Sequence, residues 1–93
     1  MNFLYELEQI IRHRIDENST GSYTSQLVVS GTRRVAQKVG EEAVELALAA
    51  VAGSRSDQLE EAADLMFHFQ VLLASLDLSL AEVADCLQAR HKE

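Results

Sequence analysis

Residues 38–45, KVGEEAVE, set Glu41, Glu42 and Glu45 within one short segment, and LEEAAD, residues 59–64, sets Glu60, Glu61 and Asp64 within another. A carboxylate taken out of water is costly unless it is paired, hydrogen-bonded or bound to a metal, so the direction in which these acids face decides their chemistry. At about 100° of turn per helical residue, Glu42 falls inside the apolar stripe of Val35, Val39, Leu46 and Ala50. Lys38 and Glu45 border that stripe, and Glu41 lies further round. In the second segment Glu61, Leu65, His68 and Leu72 form one line, with Asp64 beside Glu61 and Glu60 off to one side. If the two segments pair, four or five carboxylates converge in one cleft. They repel one another strongly at low dielectric, so either several stay protonated or hard divalent cations bridge them. With neither cysteine nor several histidines among them, the acids do not suit zinc. Oxygen ligands suit Mg²⁺, with Mn²⁺ as a substitute, and Mg²⁺ commonly joins carboxylates to phosphates. The plain alternative is that the acids form solvated helix faces or favour helix N-termini.

The elements that must position these acids are helices. Across 93 residues there is no proline and only four glycines, and the abundant Ala, Leu, Glu and Gln all favour helix. Phe3, Leu4, Leu7, Ile10, Ile11 and Ile15 mark an amphipathic helix over residues 2–17. The polar run NSTGSYT, residues 18–24, reads as a loop, and a short helix is expected over 24–30, with Gly31 breaking it. A long helix follows from 32 to 52 and stops at Gly53. Asp57 and Glu60 have capping-box spacing, which starts the next helix there and carries it to residue 76. Ser79 and Glu82 repeat the signature for a last helix to residue 90. The chain therefore reads as one all-α domain, 1–93, of four to five helices around a central antiparallel hairpin. The apolar faces of that hairpin exceed what the flanking helices of one chain can cover, so a homodimer completing a bundle is expected.

Composition excludes several classes. Hydrophobic residues make up 47% and the net charge is −7, which leaves no basic surface for duplex nucleic acid. Arg33, Arg34 and Lys38 are the densest basic group, enough for one small phosphate ligand. No apolar run approaches membrane-spanning length, and the opening MNFLYELEQII, carrying Glu6 and Glu8, is not expected to be a signal peptide. A cytoplasmic protein is expected. The single Cys86 cannot form an internal disulfide and is expected to be a small buried residue.

GSYTSQL, then QKVGEEAVELALAA, LEEAADLMFHFQVLLA and LSLAEVADCLQARH, taken in that order, resemble the phosphoribosyl-ATP pyrophosphohydrolases of histidine biosynthesis. These belong to the wider MazG-like nucleotide pyrophosphohydrolases, whose hallmark is E-x-x-D following E-E-x-x-E. Glu41, Glu42 and Glu45 match the first half of the hallmark, while Glu61 and Asp64 match the second. The resemblance covers nearly the whole chain; some members are fused to the cyclohydrolase of the next step, for which this chain is too short. It implies hydrolysis of the α–β anhydride of N1-(5-phosphoribosyl)-ATP, with Mg²⁺ held by Glu42, Glu45, Glu61 and Asp64. Glu41 or Glu42 would serve as the base. Tyr23 and Thr24, in the SYT segment, would offer hydroxyl donors to the small-molecule nucleotide. Lys38 would reach a phosphate or pair with Glu41 or Glu42, and Arg33 and Arg34 would bind phosphate or lie solvated. His68 is read as a core histidine that orients Asp64 by a hydrogen bond. Alternatives are a house-cleaning hydrolase of dUTP or other nucleoside triphosphates, or a helical interaction module with no enzymatic role.

Overall fold

The computed structural model describes residues 3–18 and 21–91, all in helices and their short connections: α1 (Phe3–Glu17), α2 (Tyr23–Val29), α3 (Thr32–Ala52), α4 (Arg55–Ser75) and α5 (Leu80–Arg90). The expected helix start at residue 2 and residues 19 and 20 of the expected loop lie outside the described residues. Two glycines make the connections around α3. Gly31 takes φ 107° between α2 and α3, a region where a side chain would be strained. A Cβ at Gly53 would stand 2.9 Å from the carbonyl oxygen of Ala49, so only glycine closes α3 onto α4 this tightly.

Two helix starts and one buried position differ from expectation. Helix α4 starts two residues earlier than Asp57, because Ser54 is the N-cap and Asp57 its capping-box partner. The Ser54 and Asp57 side chains each accept the other's backbone N–H at 3.1 Å. Tyr23 and Thr24 open α2 rather than sitting in a loop, since the Ser22 hydroxyl caps that helix by accepting from the Ser25 N–H. On α3 the buried alanine is Ala49, while Ala50 is exposed. The expected Ser79–Glu82 box opens α5.

The hairpin α3–α4 is the most extensive pairing in the chain. Its register is antiparallel, with Gln58 donating to the Ala49 carbonyl at 3.1 Å near the turn and Glu45 meeting Glu61 further from it. The core is Ile11, Leu27, Val35 and Val71, with Leu7, Ile15, Val28, Phe67, Leu72 and Ala74 packed against it. One end of the hairpin is thus covered: α1 and α2 lie on the start of α3 and the end of α4. Among the described residues the other end is bare. Among the described residues no helix is long and apolar enough to cross a membrane. Truncating Val71, which is fully buried, to alanine is expected to cost about 2–3 kcal/mol. Denaturant unfolding checks this, and a loss below 1 kcal/mol would contradict the packing.

Helix α5 buries none of its residues. It is tethered at its start, where the Leu80 N–H donates to Glu8 at 2.8 Å and Arg12 donates to the Leu78 carbonyl at 2.7 Å. Cys86 is consequently exposed rather than buried. The accessible surface is 6463 Å², against about 5,400 Å² for a compact monomer of this length. The radius of gyration is 14.4 Å, against about 12 Å. The chain carries more surface than a finished globule.

Candidate functional site

The acids meet where the covered end of the hairpin gives way to the bare end. Glu42 sits on the inward face of α3, one turn after Val39 and one before Leu46, and is buried. Glu45 follows on the same edge and is exposed, and Glu61 of α4 faces them half-buried. One carboxylate oxygen from each of Glu42, Glu45 and Glu61 lies within 4.8 Å of the others. Among the described residues no such set includes Asp64, which is exposed. Three of the four expected ligands therefore converge, and the fourth stands beside them on the solvent side.

The electrostatics of the cluster are strained in one direction. The Glu61 carboxyl is pushed above its ordinary 4.5, first by burial, then by the charge of Glu45 and a hydrogen bond to it, and then by Asp64 and Glu42. Its Oε1 is buried with no hydrogen-bond partner. An acceptor in that condition carries a desolvation cost that no protein donor offsets. Lys38 supplies the only cation paired into the cluster among the described residues: its Nζ lies 3.3 Å from Glu42 and 3.6 Å from Glu41. Burial lowers its pKa, but the hydrogen bond to Glu42 and the charges of Tyr23, Glu42 and Glu41 hold the ammonium above 10.5. One ammonium cannot neutralise three carboxylates.

The donor set fits a hard divalent cation. It is all oxygen, it holds an unpartnered buried atom, and oxygens around Mg²⁺ stand roughly 3–4 Å apart, within small side-chain movements of what is seen. Glu41 lies apart. It is exposed and accepts from Gln37 at 2.9 Å besides its contact with Lys38.

The remaining site residues divide. Arg33 and Arg34 are exposed on the first turn of α3. Thr24 is buried on the core side of α2, so the SYT side chain that faces solvent is Tyr23. His68 is buried, but it does not hold the Asp64 carboxylate. Its Nδ1 bonds the Asp64 backbone carbonyl at 2.8 Å, and its Nε2 meets the Tyr23 hydroxyl at 2.9 Å. Phe67 completes the group, stacked with Tyr23 at 6.3 Å. Sequence reasoning missed the Tyr23–His68 pair because 45 residues separate the partners. Helical spacing reports neighbours only within one helix.

Comparison with known proteins bears on residues 4–91, which match the family model described as phosphoribosyl-ATP pyrophosphohydrolase. The chain is similar to the histidine biosynthesis bifunctional protein HisIE of Salmonella typhimurium, with 52% identity across 97% of the chain and 44% of that protein. It is also similar to HisIE of Yersinia pestis (48%, covering 99% of the chain and 45% of that protein) and of Campylobacter jejuni (50%, covering 97% and 44%). The chain spans less than half the length of these curated relatives.

Proposed function

The chain belongs to the phosphoribosyl-ATP pyrophosphohydrolase family, and from that premise we propose that it hydrolyses the α–β anhydride of N1-(5-phosphoribosyl)-ATP, releasing N1-(5-phosphoribosyl)-AMP and pyrophosphate, as a cytoplasmic enzyme of histidine biosynthesis. The observation that carries the reading is the unpartnered Glu61 Oε1 inside a triangle of carboxylates on facing helices. Glu42, Glu45 and Glu61 would hold the cation, with Asp64 joining from the rim. Bound there, Mg²⁺ or Mn²⁺ supplies neutralisation of the polyphosphate and polarisation of the bridging bond.

The protein's own groups do the rest. Water adds to phosphorus on one side of the α–β bridge as the bridging P–O bond breaks, and the water proton passes to a carboxylate. Glu42 or Glu41 would accept that proton: Glu42 lies inside the triangle and pairs with Lys38, and Glu41 lies outside it, bonded to Gln37 and Lys38. Lys38, poised on Glu42, reaches for substrate phosphate, and Arg33 and Arg34 offer charge to the phosphoribosyl arm from solvent.

A second copy of the chain covers the bare end of the hairpin. Apolar side chains line a groove between α3 and α4, with Ala50, Leu59, Ala62 and Met66 exposed and Leu46 and Phe69 half-buried. The excess surface of the single chain is of the size that a standard interface removes from each partner.

Two measurements test the enzyme reading. Purified protein should hydrolyse phosphoribosyl-ATP in preference to dUTP and the ordinary nucleoside triphosphates; preference for a free triphosphate would overturn the substrate assignment. Mg²⁺ should raise the melting temperature by several degrees, since saturation at a hundred times the dissociation constant adds about 2.7 kcal/mol. Unchanged melting across millimolar Mg²⁺ would leave the acids without a cation and the mechanism without support.

A further inference from the structure

We infer that His68 is a positioning residue that fixes Tyr23 as a hydrogen-bond acceptor at the mouth of the site, where the phenol oxygen selects ligands offering a hydroxyl donor. The inference rests on the nucleotide-hydrolysis reading for its substrate and on proton bookkeeping for its chemistry. The Asp64 backbone carbonyl, 2.8 Å from His68 Nδ1, has no proton to give, so Nδ1 carries the hydrogen. In a neutral imidazole Nε2 is then bare and accepts. The Tyr23 hydroxyl, 2.9 Å away, must donate to it. A hydroxyl has one proton and two lone pairs, so with its proton committed inward Tyr23 turns only lone pairs outward.

The ring is held in that pose. Phe67 stacks with it at 29° between planes, and His68 meets Tyr23 edge-on with centroids 5.8 Å apart. His68 itself is only 7% exposed, whereas Tyr23 is 51% exposed. The pair is clamped on the protein side and open on the other. Its place is beside the acid cluster: Lys38 is within electrostatic reach of Tyr23 and binds Glu42. Phosphate oxygens are acceptors, and an oxygen presenting only lone pairs does not attract them. Phosphate therefore falls to Lys38, and the Tyr23 oxygen matches a sugar hydroxyl of the nucleotide. This replaces the expectation that the Tyr23 hydroxyl is a donor to the nucleotide.

Two arms test it. In the full chain without ligand, ¹⁵N NMR should find His68 in the Nδ1–H tautomer, with the Nε2 signal moved by Tyr23→Phe; an Nε2–H tautomer overturns the inference. In turnover with Mg²⁺, Tyr23→Phe and His68→Leu should each raise KM for phosphoribosyl-ATP roughly two- to tenfold, the range of one neutral hydrogen bond, with the loss falling on KM rather than kcat. The double variant should be no worse than either single one. His68→Gln, whose amide oxygen can accept from the phenol, should recover most of the loss and also serves if His68→Leu fails to fold. A substrate analogue lacking a sugar hydroxyl should lose affinity for the wild type and lose none for Tyr23→Phe. Additive losses, or a kcat defect in His68→Leu with Tyr23→Phe silent, overturn it. A wild type that leaves phosphoribosyl-ATP intact sinks the enzyme reading instead, and the tautomer measurement still decides this one.

Discussion

Glu61→Gln is expected to make the metal-free protein more stable and the enzyme nearly inactive. Both effects come from one atom group. In the apoprotein the Glu61 carboxyl is forced toward protonation by burial and by Glu45, Asp64 and Glu42, and its Oε1 has no partner. A carboxyl whose folded-state pKa is raised contributes fully below its ordinary value of 4.5 and loses that contribution as pH rises through the raised value, because the folded state binds the proton more tightly than the unfolded one. The neutral amide has no such loss. Melting curves of wild type and Glu61→Gln without divalent ions should therefore nearly coincide at pH 4 and separate toward pH 7, with the variant higher. Saturating Mg²⁺ should reverse the order, since only the wild type keeps the full ligand set. Activity of the variant should fall by at least about a hundredfold, as removal even of groups supporting a metal ligand costs ten- to a hundredfold. A variant that melts below the wild type at pH 7 without Mg²⁺, yet retains activity, would show Glu61 to be an ordinary structural acid.

Charge placed in the α3–α4 groove is expected to separate the proposed dimer. Leu59 and Met66 are exposed in the single chain, so Leu59→Glu or Met66→Glu should leave the fold of one protomer intact. In a dimer the same carboxylate would be buried without a partner, at a cost of several kcal/mol, or roughly a hundred- to ten-thousandfold in the dissociation constant. Analytical ultracentrifugation at micromolar concentration should find the wild type as a dimer and the variants as monomers with unchanged helical content. A monomeric wild type, or variants that dimerise as tightly as it does, would remove the groove as an interface. Val51→Glu is the control on surface charge: this exposed side chain lies on the far side of α3, outside the groove.

How much of this was readable beforehand differs by element. Helix α3 was legible to the residue, because Gly53 ends it through a steric demand that no other residue meets. The start of α4 was misread by two residues: Asp57–Glu60 and Ser54–Asp57 have the same spacing, and only backbone geometry selects the pair that caps. The burial of Cys86 was misjudged for a different reason. The periodicity of α5 marks an apolar face, but none of its residues is buried among the described residues. At the site, helical phase brought Glu42, Glu45 and Glu61 together on paper and in space. It also put Asp64 beside Glu61, where it is, without revealing that its side chain is exposed.

Residue types and their periods along the chain dictate four to five helices, a hairpin and an acidic seam, because each of these depends on neighbours three or four positions away. The partnership of Tyr23 with His68, the choice of a carbonyl over a carboxylate by His68, and the isolation of Glu61 Oε1 depend on how separate helices come to rest against one another. Hydrogen-bond geometry tolerates errors of only a few tenths of an ångström, and that tolerance is met by packing, not by spacing in the chain.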